Sequence, residues 1–400
     1  MRPALDLPAE YVRLGLSLDR LLPGTVDAWT GHAAVRAHVL AEPLPTAREL
    51  AARASVLLGE LPSAGLEPPR AAFLAAQLSA LRTRARVLAG EPVGWVQQVQ
   101  DCFQITPEPG DEQAYALAHA ELDLLLPGDG PVLGRYAAYR RAQEVPADRL
   151  SEVVREVATL LRERTRRAFP LPLEERVEYE VVSDRPWSGF NSWATGFVSR
   201  VAVNADPPVG LGALPSLVAH EAYPGHHTER CRKAVRLAGL PERRLWLVGT
   251  PENLLAEGIA DAGLAGLGLS GWGPLLAELY ADLGIGYDGE LGERVARAAA
   301  PLVRVRQDAA RLLHDRGGSL DDAAALLCRW ALLPPDRVAQ TLGFLTDPQW
   351  RTYICTYVEG EALVSAWLAA RPARQPVTGR FVRLLDETWT PAGLRADLAS

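Results

Sequence analysis

The sequence predicts a mainly α-helical fold with one small β-sheet, and three observations carry that expectation. Apolar residues recur at three- and four-residue steps through most of the chain, which lines them along one face of a helix. Only the stretch from roughly 176 to 206 is β-branched and loosely alternating, as strands are. Four hundred residues with 48% apolar and 23% charged content can bury a large core, which is the composition of a soluble globular protein.

In chain order, Thr46 with Glu49 has the spacing of a capping box and opens a helix at Ala47. Leu74, Leu78, Leu81, Ala85 and Leu88 form the next apolar stripe. The cluster Leu126-Pro127-Gly128-Asp129-Gly130-Pro131 marks a loop. After Pro146, Leu150, Val153, Val154, Val157, Leu160 and Leu161 repeat the helical pattern. The basic run Arg162-Glu163-Arg164-Thr165-Arg166-Arg167 closes that helix as a solvated end, where cations complement the dipole. A boundary at Phe169-Pro170-Leu171-Pro172 separates a helical part, 1–170, from a part carrying the sheet and the site, 171–400. The sheet is too small to stand alone, so one continuous body with a central cleft is expected.

Arg176-Val177-Glu178-Tyr179-Glu180-Val181-Val182, ending at Ser183-Asp184-Arg185-Pro186, and Phe197 to Asn204, ending at Asp206-Pro207-Pro208, read as two or three short strands. Helical patterns resume at Leu214 to Ala219 and from Pro251 to Leu267. Ser319 with Asp322 and Thr390 with Pro391 mark two more helix starts. The chain shows no internal repeat and no low-complexity segment.

Charge and cysteine usage exclude several function classes. The net charge is −7 and Lys233 is the only lysine, so clustered basic charge for nucleic acid is missing. No run of about 18 apolar residues is long enough to span a membrane. The N-terminus lacks the apolar stretch of a secretory signal, which points to the cytoplasm. Cys102, Cys231, Cys328 and Cys355 are scattered and form no C-x-x-C pair, as suits buried free thiols. A metal site here therefore has to use histidine and carboxylate.

Histidine supplies the chemical signal. Three of the seven histidines fall in His220-Glu221-Ala222-Tyr223-Pro224-Gly225-His226-His227. H-E-x-x-H sets two zinc-binding imidazoles one helical turn apart, but here the fourth position after His220 is Pro224. Proline cannot bond back to the His220 carbonyl and crowds that turn. In an ideal helix His226 points away from His220, and His227 sits about 10.5 Å along the axis. A bulge of two residues at Pro224-Gly225 brings His226 into place as the second ligand, with His227 as the alternative ligand and as a candidate catalytic residue. The other histidines, His32, His38, His119 and His314, read as surface or capped core residues.

The octapeptide resembles the signature of the bacterial family called domain of unknown function 885, which is similar to helical zinc metallopeptidases of the H-E-x-x-H clan. The likeness extends over about 180–370 and implies a zincin-like helical fold with the sheet beside the metal helix. In that family a Leu-Gln pair follows the octapeptide and a later Glu-Gly-Trp-Ala-Leu-Tyr supplies a carboxylate. Here Thr228-Glu229 follows, and the later segment is Glu257-Gly258-Ile259-Ala260-Asp261-Ala262 without the aromatic residues. The family's C-terminal Tyr-x-x-Gly matches Tyr357 and Gly360.

A catalytic zinc takes two imidazoles and a carboxylate and leaves one position open. Glu257 is the expected carboxylate, with Gly258 allowing close packing on the metal helix. Glu252 is its rival, better read as an N-terminal helix charge. Asp261, one turn after Glu257, would orient a ligand histidine, as in zinc proteases resembling thermolysin. Glu221 is the expected general base. Tyr353 and Tyr357 are candidate donors to the oxyanion, or tyrosines anchoring a core helix. The segment Arg200 to Asn204 is expected to border the cleft, with Asn204 contacting substrate or forming a turn. Arg351 and Arg380 are candidates for a substrate carboxylate. These features imply a zinc metallopeptidase acting on peptides. The alternatives are a zinc hydrolase of another small amide or ester, and a helical binding protein with a structural metal.

Overall fold

The computed structural model describes residues 5–185, 187–194, 196–206, 208–269 and 271–399. Met1 to Ala4, Pro186 and Pro207, used above as signals of terminus and turn, lie outside the described residues. The chain is mainly helical with two small sheets.

Local signals set the helix ends where short-range chemistry is strong. Thr46 and Glu49 cap helix Ala47–Glu60 reciprocally, as Ser319 and Asp322 cap Leu320–Trp330. The Thr390 hydroxyl accepts the Gly393 N–H and starts Pro391–Leu398.

Among the described residues five strands form the sheets: β1 Val26–Trp29, β2 Arg176–Val182, β3 Gly189–Trp193, β4 Val198–Asn204 and β5 Leu245–Leu247. Three of them lie in the 176–206 stretch, in the order β2-β4-β3, with β2 and β4 parallel and β3 antiparallel to β4. The second sheet, β1 with β5, has no sequence signal. Its strands are short and more than 200 residues apart, and only the packing of Leu245 and Leu247 into the core around Leu7–Leu21 explains them.

Three apolar clusters hold the molecule together. One gathers Leu7–Leu21, Ala47–Glu60 and Pro68–Leu88 around β5. A second packs Val153, Val157 and Leu161 against Val201, Val203, Leu214 and Val218. This clamps β4 and helix Leu214–Glu221 onto helix Leu150–Ala168. The largest cluster runs from Ala80 to Leu394, so one core draws on both sides of residue 170. Among the described residues no helix is long and apolar enough to cross a membrane.

The basic run is not a solvated end throughout. Arg162 and Arg166 turn inward to Glu175, whose side chain is fully buried. The buried carboxylate needs those partners, and sequence position alone did not reveal it.

Candidate metal centre

Helix Leu214–Glu221 stops immediately after the His-Glu pair, and a new helix, His226–Arg236, starts at the second histidine. Between them the Tyr223–Pro224 peptide is cis. The Gly225 N–H bonds to the Ala219 carbonyl at 2.8 Å, and the Thr228 N–H to the Ala222 carbonyl at 3.2 Å. Each bond reaches back six residues instead of the four of an α-helix. Two residues are thus inserted, as the Pro-Gly pair suggested. A Cβ on Gly225 would lie 2.1 Å from the His220 carbonyl oxygen, so only glycine fits the turn.

The insertion brings His226 beside His220, with ring centroids 4.6 Å apart. Glu257, on helix Pro251–Asp261, completes the group. Its Oε2 is 3.3 Å from His220 Nε2, and its Oε1 is 3.7 Å from His226 Nε2. Ligand atoms of the three residues all lie within 4.8 Å of one another. Donors set about 2.0–2.2 Å from a tetrahedral zinc stand roughly 3.4 Å apart, so the spacing fits. Glu257 Oε2 is also buried without a hydrogen bond, an orphaned anion atom that a cation would satisfy.

The surroundings fix the orientation and charge of this group. His220 Nδ1 is 2.7 Å from Asp261 Oδ1, which leaves Nε2 to face Glu257. Burial lowers the His220 pKa, but Asp261 and Glu257 more than offset it and raise it well above the ordinary value. Burial dominates at His226 and pushes it down to about 3, which keeps its lone pair free. At Glu257 burial opposes ionisation, yet His220, His226 and Tyr353 hold it at about 2. The Tyr353 hydroxyl donates to Glu257 Oε1 at 2.7 Å, and Asn253 Nδ2 donates to the same oxygen at 3.3 Å.

Glu221 stands beside the group, 7% exposed, and burial pushes its pKa up to about 7. A base poised near neutrality is what proton transfer from water needs. These residues line a cavity of about 660 Å³ together with Tyr353 and Tyr357. The Tyr357 ring lies 6.4 Å from that of His220.

Several candidates sit elsewhere. His227 is fully buried and turned away, with Nε2 3.0 Å from Glu175 and Nδ1 2.9 Å from the Ser199 hydroxyl. It leaves the ligand and catalytic sets because both nitrogens are engaged in the core. Asn204 donates to the carbonyls of Arg185, Trp187 and Asp206 and accepts the Asp206 N–H. It shapes a turn and does not line the cavity. Arg351 donates to Gln98 and Arg380 stacks on Trp367 beside Asp397; neither reaches the cavity. Glu252 lines it but is paired with Arg243.

Two positions exchange roles. Gly258 packs against helix Ile354–Ala369, not the metal helix: a Cβ there would lie 2.2 Å from the Gly360 oxygen. Tyr357-x-x-Gly360 thus combines a cavity tyrosine with the glycine that lets its helix approach. Within the three-stranded sheet the strand bordering the cavity is β3, not Arg200 to Asn204, because β4 is the central strand. A Cβ on Gly189 would stand 2.9 Å from Glu221 Oε1, so glycine lets β3 lie against Glu221.

Sequence reasoning missed Asn191, Arg230 and Asp27. Asn191 Nδ2 donates to the Glu221 carbonyl at 2.6 Å, Arg230 donates to Asn191 Oδ1 at 3.0 Å, and Asp27 pairs with Arg230. β1, β3 and the two helices on either side of the Pro-Gly turn meet there, and no local pattern announces it. Asn253 carried a usable signal, since it precedes Glu257 by one helical turn. The other histidines bond to backbone or the surface: His119 to the Trp330 carbonyl, His314 to that of Leu345, His32 at a helix cap and His38 to Glu42.

No protein-family model matches this chain, and no curated protein matches it in sequence. Its fold is shared by solved structures, among them these two. A protein assigned as a lipoprotein from Colwellia psychrerythraea is 16% identical, with a TM-score of 0.55 over 97% of this chain and 74% of that one. A second protein assigned as a lipoprotein, of unknown function, from Shewanella oneidensis is 13% identical, with a TM-score of 0.55 over 98% and 82%. At that identity the likeness is one of fold.

Proposed function

We propose that this chain is a zinc-dependent hydrolase with a zincin-like catalytic core, and that its substrates are peptides. The observation that carries the reading is the orphaned Glu257 Oε2, facing His220 Nε2 and close to His226 in a cavity that also holds Glu221. The octapeptide's resemblance to domain of unknown function 885 supports it.

His220, His226 and Glu257 would hold the ion, which when bound would polarise the scissile carbonyl and acidify water. Glu221 accepts the proton of the attacking water and passes it to the leaving amine. Asp261 keeps the His220 ring oriented. The Tyr357 hydroxyl donates to the oxygen on which negative charge develops. β3 is an edge strand, and a substrate backbone adds to it as a further strand beside Glu221.

The cavity volume of about 660 Å³ also suits a compact amide or ester, and hydrolysis of such a substrate is the second reading. A purely structural metal is disfavoured, because a closed site wants a fourth protein ligand and among the described residues three donors converge. Four free cysteines support a cytoplasmic protein.

The test is elemental analysis of the purified protein, then cleavage of a mixed peptide library with and without chelator, read by mass. One zinc per chain and chelator-sensitive cleavage are expected. Glu221→Gln should retain zinc and lose hydrolysis; full activity in that variant sinks the reading.

A further inference from the structure

The walls of the cavity indicate what its substrate carries. Outside the metal group and Glu221, almost every charge on them is already matched within the protein. Asp27 pairs with Arg230, Glu229 with Lys233 and Glu252 with Arg243. The remaining acid, Asp347, accepts the backbone N–H groups of Gln349 and Trp350 at 2.8 and 3.3 Å. Drawing a partner away from any of these pairs would leave a desolvated charge behind.

The uncommitted surface of the walls is aromatic. Trp187 and Phe190 stack at 5.6 Å where β3 begins, and Phe344 and Trp350 stack at 6.3 Å on the segment leading to Tyr353. Trp246 on β5 joins them, and all five line the cavity. Phe190 is 46% exposed, a large apolar ring left in solvent at the rim. Its neighbours Gly189 and Asn191 lie against Glu221 and the Glu221 carbonyl, and Phe190, between them on the strand, lines the same cavity.

We propose, on the basis of the hydrolase reading above, that the substrate is a short amide bearing an aromatic or bulky apolar side chain, recognised by stacking and desolvation, with neither terminus bound as an ion. Among the described residues no wall cation is left unpaired for a carboxylate, and Asp347, the wall acid without a cation partner, is bonded to backbone N–H groups, so terminally blocked substrates are accepted. The cavity therefore serves internal or capped peptide bonds of small molecules, not the removal of terminal residues. Ring stacking and apolar burial supply the affinity.

The test compares zinc-loaded protein on N-acetylated, C-amidated tripeptides with phenylalanine, lysine or aspartate at one position, each against its unblocked form. Phenylalanine should exceed the charged residues at least about tenfold in kcat/KM, and blocking should change it less than about threefold. Phe190→Ala, at a half-exposed ring whose loss opens no core cavity, should raise KM for the phenylalanyl substrate about tenfold. A preference for a charged residue, or loss of cleavage on blocking either end, overturns the proposal. If no peptide is cut, the hydrolase reading fails separately, and binding still decides. N-acetylphenylalanine amide should quench the cavity tryptophans at concentrations where N-acetyllysine amide does not, and equal quenching by both overturns the proposal.

Discussion

A hydroxyl has one hydrogen to donate, and this separates the work of the two cavity tyrosines. Tyr353 gives its hydrogen to Glu257 and accepts one from Asn253 at 3.1 Å, so it positions that carboxylate. Among the described residues no hydrogen bond occupies the Tyr357 hydroxyl, which would meet the oxyanion in the proposed reaction. Tyr353→Phe should weaken zinc binding about 10–100-fold in chelator competition. Tyr357→Phe should bind zinc as before and lose about a hundredfold in kcat. The reverse pattern would exchange the two roles. The adjacent histidines separate in the same way. His226→Ala should abolish stoichiometric zinc, whereas His227→Ala should keep it and cost about 2–3 kcal/mol in denaturant unfolding, because Glu175 and Ser199 lose a buried partner. Zinc lost from the His227 variant and kept in the His226 variant would contradict the ligand set.

At the scale of elements, two glycines set how closely backbones approach. Gly225→Ala would force a methyl to within 2.4 Å of the Ala219 carbonyl oxygen as well as onto that of His220. The bulge must then open and His226 must move. Zinc affinity should fall by more than tenfold while the helical circular dichroism stays near wild type; unchanged affinity would show that the bulge does not place the ligand. Gly258→Ala should act differently, by pushing helix Pro251–Asp261 away from Ile354–Ala369. Overpacking of this kind costs about 1–3 kcal/mol, and a lower Tm of both metal-free and zinc-loaded protein is expected. The capping boxes at Thr46 and Ser319 were legible because each is complete within four residues. The β1–β5 pair and the Gly258–Gly360 contact were not, because each joins segments that no local pattern relates.

At the scale of the molecule, Glu175 ties three elements together behind helix Leu214–Glu221. Arg162 and Arg166 reach it from helix Leu150–Ala168, His227 from helix His226–Arg236, and the Tyr223 hydroxyl donates to it at 2.6 Å. Burial opposes its charge, but the bonds from His227, Tyr223, Arg166 and Arg162 prevail and hold its pKa at about 2, below the ordinary 4.5. A carboxylate depressed in the folded state contributes stability above its unfolded pKa and loses it as pH falls through the folded one. The contribution is therefore complete above about pH 5 and fades toward pH 2, and it is on the order of 2 kcal/mol. Metal-free wild type should exceed Glu175→Gln by about that amount at pH 7, with the gap narrowing steadily in unfolding measurements from pH 5 to pH 3. A gap that is constant with pH would remove Glu175 as the source.

The sequence by itself determined the helical character of the chain, the stretch that forms the three-stranded sheet, and the reach from His220 across a two-residue bulge to His226. It also singled out Glu257 and Asp261, one turn apart on a later helix. All of these are properties of short segments, governed by side-chain periodicity, capping and the missing N–H of proline. Tertiary structure alone decided that His227 belongs to the core, that Asn204 and Arg351 face away from the cavity, and that Tyr353 serves Glu257. It alone brought Asp27, Asn191 and Arg230 to the wall beside Glu221. Burial and partnership depend on segments far apart in the chain, and a buried charge is placed wherever folding supplies its counter-charge.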